Sequence, residues 1–518
     1  MFYGLAISIF SGLLYALSFP PFDLWFLVFP SLFFFYKLIL EGRTPFLSGF
    51  IFGIIAYGIV LFGIRSIGYE AWIPLTIFMG SMYGALGKVL KYIGNKVNNN
   101  IFILIAILST FDLLRIHFPF GGFPWGYPST VLISGVTKNF FRTFGPIGFS
   151  LLIESLVLLI VLIAIDKGLR KKMNLSYLKY YIVSFIVLGV LSLFSINNED
   201  YDFQKTSVGE IEISIVQGNS PCPGARNQCL NERQIIYESH LNLTKSIDTS
   251  PLFNELADTR LIVWAESSTG FKNDPLINIE TLEQISIEAK RLNATFLIGG
   301  DRPIDSDYFQ NYGLFIDKNG DILGQYLKQH PVPFGEYIPF RKYLDWIPPL
   351  ALVPRDMIRG EGQKILTIGR NESWSGIKVS PVISFEGSFD RYIRKSVKEG
   401  SELIVILTNQ ASYGESGMSD QFILMSRANA VSNHRDIVHA AITGKSAFIS
   451  AEDGEVYFSS DLFKEDIITM LLNGYTAETP YTQFGNYLNY LTILLGSILF
   501  LYFRFVDVDR KAHSSSSF

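Results

Sequence analysis

Long apolar runs separated by short polar turns fill residues 1 to about 196, and a further run from roughly Leu488 to Phe505 precedes a polar tail. A hydrocarbon core takes about 20 apolar residues per helix. Counting runs predicts spans near 3–19, 24–40, 45–64, 70–91, 101–117, 146–165, 178–196 and 487–504. The first run has no basic start (Met1-Phe2-Tyr3-Gly4) and no small-residue cleavage site. It turns through Ser18-Phe19-Pro20-Pro21-Phe22-Asp23 into the next run, so it reads as a span and not as a signal peptide.

Between these regions short apolar runs alternate with helical patterns. Strands are expected at Ile211–Gln217, Leu261–Ala265, Thr295–Ile298, Tyr312–Asp317, Ile322–Lys328, Gly376–Ser384, Leu403–Thr408, Ile437–Ile442 and Ala447–Ser450, and helices near 230–248, 276–292, 388–399 and 419–433. Asp317-Lys318-Asn319-Gly320 reads as a hairpin turn, because Asn-Gly supplies positive φ. The fold class is therefore an α-helical polytopic membrane bundle of about eight spans plus an α/β domain with helices on both faces of its sheets. The boundaries are 1–196 for the first seven spans, 197–486 for the α/β domain, 487–505 for the eighth span and 506–518 for a cytoplasmic tail.

Composition agrees: of 518 residues, 49% are hydrophobic and only 17% charged, too apolar for an ordinary soluble protein. A net charge of -4 without long basic runs argues against nucleic acid as a partner. Basic residues fall in alternate loops: Arg43, then Lys88, Lys91 and Lys96, then Lys167, Arg170, Lys171 and Lys172, then Arg504, Arg510 and Lys511. Those loops are expected in the cytoplasm. The loop at 18–23 has no basic residue, and those after the third and fifth spans have few, so 197–486 should lie outside, in the periplasm of a double-membrane bacterium.

Cys222 and Cys229 then sit where a disulfide is permitted, although two unlinked thiols fit the spacing as well. Their C-x6-C spacing is no zinc or redox motif. The histidines are scattered, and there is no H-E-x-x-H, G-x-S-x-G, P-loop or dinucleotide fingerprint. No metal and no cofactor is expected.

Three expected strands end on a functional side chain: Glu266 after Leu261-Ile262-Val263-Trp264-Ala265, Lys328 after Ile322 to Leu327, and Ser384 after Val379 to Ile383. Gathered at one sheet rim, they would supply a general base, an electrostatic stabiliser and a nucleophile. Singly, each has an ordinary explanation as a helix-cap acid, a surface lysine and a cap serine.

Trp264-Ala265-Glu266-Ser267-Ser268, the stretch Tyr326 to Pro339 with its Lys-x-x-x-x-Pro-Phe-Gly-Glu core, and Ser384-Phe385-Glu386 look like the three signatures of the carbon-nitrogen hydrolase (nitrilase) superfamily. The middle motif closely resembles the membrane-embedded apolipoprotein N-acyltransferase branch. Ser18-Phe19-Pro20-Pro21-Phe22, Gly121 to Tyr127 and Thr479 to Asn486 extend the resemblance over nearly the whole chain. It implies a nitrilase-like αββα sandwich and a ping-pong acyl transfer in the bacterial inner membrane. Phospholipid would be the donor, the amine of a lipoprotein's diacylglyceryl-cysteine the acceptor, and a monomer the working unit. By resemblance Glu266 is the base, Lys328 holds the oxyanion, Glu336 and Glu386 support them, and Ser384 takes the place of the family's cysteine nucleophile.

A thiol near pKa 8.5 ionises far more easily than an alkyl hydroxyl, so serine at this position predicts a slow enzyme. Asn409-Gln410-Ala411-Ser412-Tyr413-Gly414 and Asn429-Ala430-Val431-Ser432 also depart from the family's usual Asn-Asp-Ala-Trp-Phe-Gly and Arg-Ala-x-Glu. Three readings follow: an N-acyltransferase using Ser384, a catalytically impaired paralogue that binds phospholipid or lipoprotein, and a lipid amidase or hydrolase. The aromatic cluster Phe22, Trp25, Phe26, Phe29, Phe33, Phe34, Phe35 and Tyr36 reads as lipid contact or an acyl path. Ile338-Pro339-Phe340 and Trp346 to Leu352 read as a lid dipping into the leaflet or as local packing. Asp112 and Arg115 read as an intramembrane pair.

Overall fold

The computed structural model describes residues 2–169, 189, 206–222, 229–250, 259–344, 346–369 and 375–515. Helices of eight residues or more are numbered. The apolar part begins with α1 (Phe2–Leu17), α2 (Val28–Glu41), α3 (Pro45–Val60), α4 (Tyr69–Lys96), α5 (Ile101–His117) and α6 (Lys138–Leu169). Pro45 opens α3, and the Asn100 side chain caps α5 by accepting from the N–H groups of Phe102 and Ile103. Helices α3 and α4 pack through glycines. A Cβ on Gly53 would stand 2.8 Å from the Gly80 Cα, the close approach by which membrane helices associate without a hydrophobic drive.

Tyr69–Lys96, Lys138–Ile165 and Tyr487–Phe505 are long and apolar enough to cross a membrane, and Phe2–Leu17 and Pro45–Val60 are shorter apolar helices. The expected 24–40 run starts as a 3₁₀ turn over Trp25–Leu27, and the 45–64 run ends as one over Phe62–Ser66. The expected start at 146 is a kink inside α6. Gly145 there takes φ 69, and a side chain would meet the Tyr481 ring. Apart from residue 189, the span expected at 178–196 lies outside the described residues.

The α/β part has two sheets. The first runs β13 (Asp466–Tyr475), β1 (Ser207–Gln217), β2 (Arg260–Gly270), β3 (Thr295–Pro303), β4 (Tyr308–Ile316) and β5 (Ile322–Leu327), with the short β6 (Asp356–Met357) beside β4. The second runs β12 (Val456–Ser459), β11 (Ala447–Ile449), β10 (Ile437–Ala441), β9 (Leu403–Thr408), β8 (Ile377–Ile383) and β7 (Leu366–Ile368). The central strands β1, β2, β3 and β8, β9, β10 are parallel, which is why they read as continuous apolar runs.

Alternation sorts each strand between two cores. Leu261 and Val263 face inward, with Ile213 and Leu297, against Val379, Leu403, Val405 and Val438 of the other sheet. Ile262 and Trp264 face outward, where α7 (Glu232–Ser246) and α8 (Ile279–Leu292) cover them with Tyr237, Leu241, Ile285 and Ala289. On the second sheet, α9 (Asp390–Lys398) and α10 (Met418–Asn433) lay Ile393, Val397, Ile423 and Ala430 over Val382, Ile404 and Ile406. The result is the four-layer sandwich. The opposite face of α10 packs Phe422, Met425 and Val431 into one apolar core with α6 residues Phe141, Phe144 and Phe149, so this helix joins the two parts. The chain closes with α11 (Tyr487–Ser515).

Leu403–Thr408 stands as expected, and the other expected strands are present with ends shifted by a few residues. β6, β7, β12 and β13 were not anticipated. In β13 the apolar residues come in pairs and triples, Ile467-Ile468 and Met470-Leu471-Leu472, which hides the alternation of an edge strand. The turn after β4 takes positive φ at Gly320 (86°) but not at Asn319. Instead, the Asp317 carboxylate accepts from the N–H groups of Asn319 and Asp321, each at 2.8 Å. Cys222 and Cys229 form a disulfide.

Candidate active site

Glu266 does not end its strand as expected. β2 continues to Gly270, but its register against β3 shifts between Trp264 and Thr269, and Ser267 adopts φ 60. This bulge re-aims the glutamate, a common use of bulges next to sites. Its Oε1 accepts from Asn311 Nδ2 (2.7 Å) and Lys328 Nζ (3.1 Å), and its Oε2 from the Asn409 N–H beyond β9 (2.7 Å).

Lys328 is the first residue after β5 and is fully buried. Its ammonium donates to Glu266 and, at 2.6 Å, to Glu336 Oε1. Burial works against its charge, yet Glu266 and then Glu336 hold its pKa above the ordinary lysine value. The other oxygen of Glu336 accepts from Val332 N–H at 2.7 Å, closing the loop between lysine and glutamate. Burial pushes the Glu336 carboxyl up to about 7 against the pull of Lys328. One cation thus lies between two carboxylates, an arrangement that can take a proton and also face developing negative charge.

Ser384 opens a 3₁₀ turn, Ser384–Ser388, directly after β8, with φ 53. A non-glycine residue in this region is uncommon and marks a constrained turn. The residue is partly exposed, and among the described residues its hydroxyl makes no hydrogen bond. Glu386, fully buried, holds the turn. It accepts from Ile383 N–H (2.8 Å), Tyr326 hydroxyl (2.7 Å), His330 N–H (2.9 Å) and Gln329 N–H. Burial raises its pKa while these donors oppose the rise.

Glu266, Lys328 and Glu336 therefore form one hydrogen-bonded cluster. Ser384 is tied to it through the backbone, because Glu386 clamps the serine turn onto the two residues that follow Lys328. Glu386 does not itself touch the lysine.

Asn311 was missed, since an asparagine inside a strand carries no signal. Tyr413 was noted only as a departure from the family. It stands beside the cluster, where burial and Glu266 push its phenol up to about 12. Two of the other unusual positions are hydrogen-bonded in the structure. Gln410 accepts from Ser419 Oγ at 2.5 Å and lies 3.2 Å from His439 Nε2, and Asn429 Nδ2 donates to Gly387 O of the serine turn at 3.0 Å.

Asp112 and Arg115 do not form the expected hydrogen-bonded pair. Arg115 donates to Tyr57 hydroxyl (2.8 Å) and Trp125 O (2.5 Å), while both carboxylate oxygens of buried Asp112 have no partner among the described residues. Four tyrosine and phenylalanine rings within 6 Å of the guanidinium explain the choice, because they favour the cation on that side. The aromatic cluster splits: Phe22, Trp25 and Phe26 are exposed, while Phe35 and Tyr36 are core. Phe340, Trp346 and Leu352 are exposed by 68%, 78% and 65%, and Phe120 from the loop after α5 meets Phe334 and Phe340 edge-on.

Residues 11–159 match the family described as the apolipoprotein N-acyltransferase N-terminal domain, and residues 227–481 match carbon-nitrogen hydrolase. An apolipoprotein N-acyltransferase of Geobacter metallireducens is 26% identical over 92% of this chain and 91% of its own length. That of Aquifex aeolicus is 27% identical over 88% and 96%, and that of Haemophilus influenzae 24% identical over 95% and 93%. Among solved structures, Saccharomyces cerevisiae Nit3 of the nitrilase superfamily covers 52% of this chain and 92% of its own, at 13% identity and a TM-score of 0.37.

Proposed function

The chain belongs to the apolipoprotein N-acyltransferase family, the acyltransferase branch of the carbon-nitrogen hydrolase superfamily, and on that premise we propose a reaction through Ser384. An acyl chain passes from a phospholipid to Ser384 and then to the α-amine of a lipoprotein's diacylglyceryl-cysteine. Ser384 Oγ attacks the phospholipid ester carbonyl while Glu266 takes the hydroxyl proton. The Lys328 ammonium stabilises the tetrahedral oxyanion, and the leaving alkoxide of the lysophospholipid takes the proton from Glu266. The amine then attacks the seryl ester, Glu266 accepts a proton from nitrogen and returns it to Ser384 Oγ, and the amide departs. The observation that carries this reading is the buried Glu266–Lys328–Glu336 cluster clamped to the serine turn.

In this reading the membrane is the bacterial inner membrane, crossed about eight times by a monomer. The α/β domain lies on the periplasmic side, supported by the alternate basic loops and the Cys222–Cys229 disulfide. A second reading, a paralogue that binds lipid or lipoprotein without turnover, draws support from a Ser384 hydroxyl bonded to neither Glu266 nor Lys328. Purified protein in detergent with labelled phospholipid and a diacylglyceryl-cysteine peptide separates the possibilities. N-acylated peptide supports transfer, free fatty acid alone supports a hydrolase, and neither supports the binding paralogue.

The ionised form of Glu336 shares the lysine charge and leaves Glu266 free as base. With its carboxyl held up near pH 7, the rate of acyl transfer should rise as pH increases through about 7. Glu336→Gln should lower the plateau and remove that limb from the pH–rate profile. The exposed loop is proposed as a lid that rests in the leaflet. Trp346→Ser with Phe340→Ser should raise KM for vesicle phospholipid by about 30-fold, at about 1 kcal/mol for each of the two buried rings, and leave the rate with a short-chain soluble ester unchanged.

A further inference from the structure

Resting on the reading above, we propose that Gln421 is a positioning residue that couples the membrane loops to the Ser384 turn through the Trp125 indole. Gln421 lies on the first turn and a half of α10 and is 4% exposed. Its amide uses both ends. Nε2 donates to Pro20 O in the α1–α2 turn and to Val60 O at the end of α3, each at 2.9 Å, and Oε1 accepts from Trp125 Nε1 at 2.5 Å.

Both loops press against the start of the same helix. A Cβ on Gly417 would meet Pro21 at 2.6 Å, and one on Gly63 would meet Met418 at 2.3 Å. Contacts this close shut water away from the two carbonyls, so a donor is needed at position 421. A lysine or serine would satisfy that need alone. What the amide adds is an acceptor for Trp125.

Trp125 is held from the other end as well, its carbonyl taking a hydrogen bond from Arg115 at 2.5 Å. Its ring stacks on Phe123 (5.6 Å, 15°), meets Phe422 edge-on (4.9 Å, 87°) and lies nearly parallel to Phe385 (6.5 Å, 20°). Phe385 is the residue after Ser384 in the constrained turn. The path from two membrane loops to the nucleophile is therefore one amide, one indole and one phenyl ring. Movement of α1 or α3 relative to the α/β domain reaches the Ser384 turn along it.

Both cysteines are in the disulfide, so Ser384→Cys introduces the one free thiol, and its reactivity reads the turn directly. In that background, Gln421→Leu and Trp125→Phe are made singly and together, and iodoacetamide alkylation is timed in detergent alongside the melting temperature. Acyl-enzyme formation from phospholipid is timed in the same four proteins. The expected result is that each single change alters both rates by about tenfold, the size of the one Gln421–Trp125 hydrogen bond that both remove, and that the double change adds no more. Effects that multiply would overturn the coupling, as would a fall in melting temperature with unchanged thiol reactivity. If no variant forms an acyl-enzyme, the functional reading fails while the alkylation cycle still decides the coupling.

Discussion

Ser384→Cys is expected to raise the rate of acyl-enzyme formation by about 10³-fold, or about 4 kcal/mol of barrier at about 1.4 kcal/mol for each factor of ten. In the proposed mechanism the carboxylate, the lysine and the turn stay as they are, and the substitution changes only the attacking atom. A thiol near its ordinary pKa of about 8.5 yields its proton readily to Glu266, whereas a hydroxyl must be deprotonated during attack. The second half-reaction gains too, because a thioester is a better acyl donor to an amine than an oxyester. Stopped-time labelling with a radioactive or fluorescent phospholipid measures the first step separately. An unchanged rate would mean that the site is limited by something other than the nucleophile.

Lys328→Met should have an opposite and double effect. Activity should fall by about 10³-fold or more, the scale on which a lost oxyanion donor acts. Stability should fall by about 3 kcal/mol, because Glu266 is left as a buried carboxylate and Glu336 as a partly buried one without their cation. Chemical denaturation of the detergent-solubilised protein measures the second effect. Adding Glu266→Gln to Lys328→Met removes one of the stranded charges and should restore part of the stability without restoring any activity. A stable Lys328→Met protein would show that the two glutamates are already protonated.

The α/β alternation was legible because parallel central strands bury both faces and leave continuous apolar runs such as Leu403–Thr408, and because α8 and α9 follow helical periodicity; the αββα sandwich was implied only by the family resemblance. β13 and the short edge strands were not, since an edge strand in contact with one neighbour needs no regular alternation. Motifs named Glu266, Lys328, Glu336, Ser384 and Glu386 as candidates, and the structure brings the first three into one hydrogen-bonded cluster with Glu386 holding the Ser384 turn beside it. Their grouping was not legible: the bulge that aims Glu266 and the four donors that converge on Glu386 are properties of tertiary structure. Asn311 and Gln421 carried no signal, because an amide becomes informative only when its partners are known. Arg115 misled, since two opposite charges in one span suggested a pair with Asp112, while the surrounding tyrosines and the Trp125 carbonyl offered the cation better partners.

In the proposed reaction Ser384 carries the acyl group. The most direct measurement is the intact mass of the purified protein after incubation with a phospholipid of defined acyl chain, followed by fragmentation to locate the adduct. One added acyl group is expected on the peptide containing Ser384, absent in Ser384→Ala and discharged by a diacylglyceryl-cysteine peptide. An adduct on another residue, or one that persists in Ser384→Ala, would contradict that role.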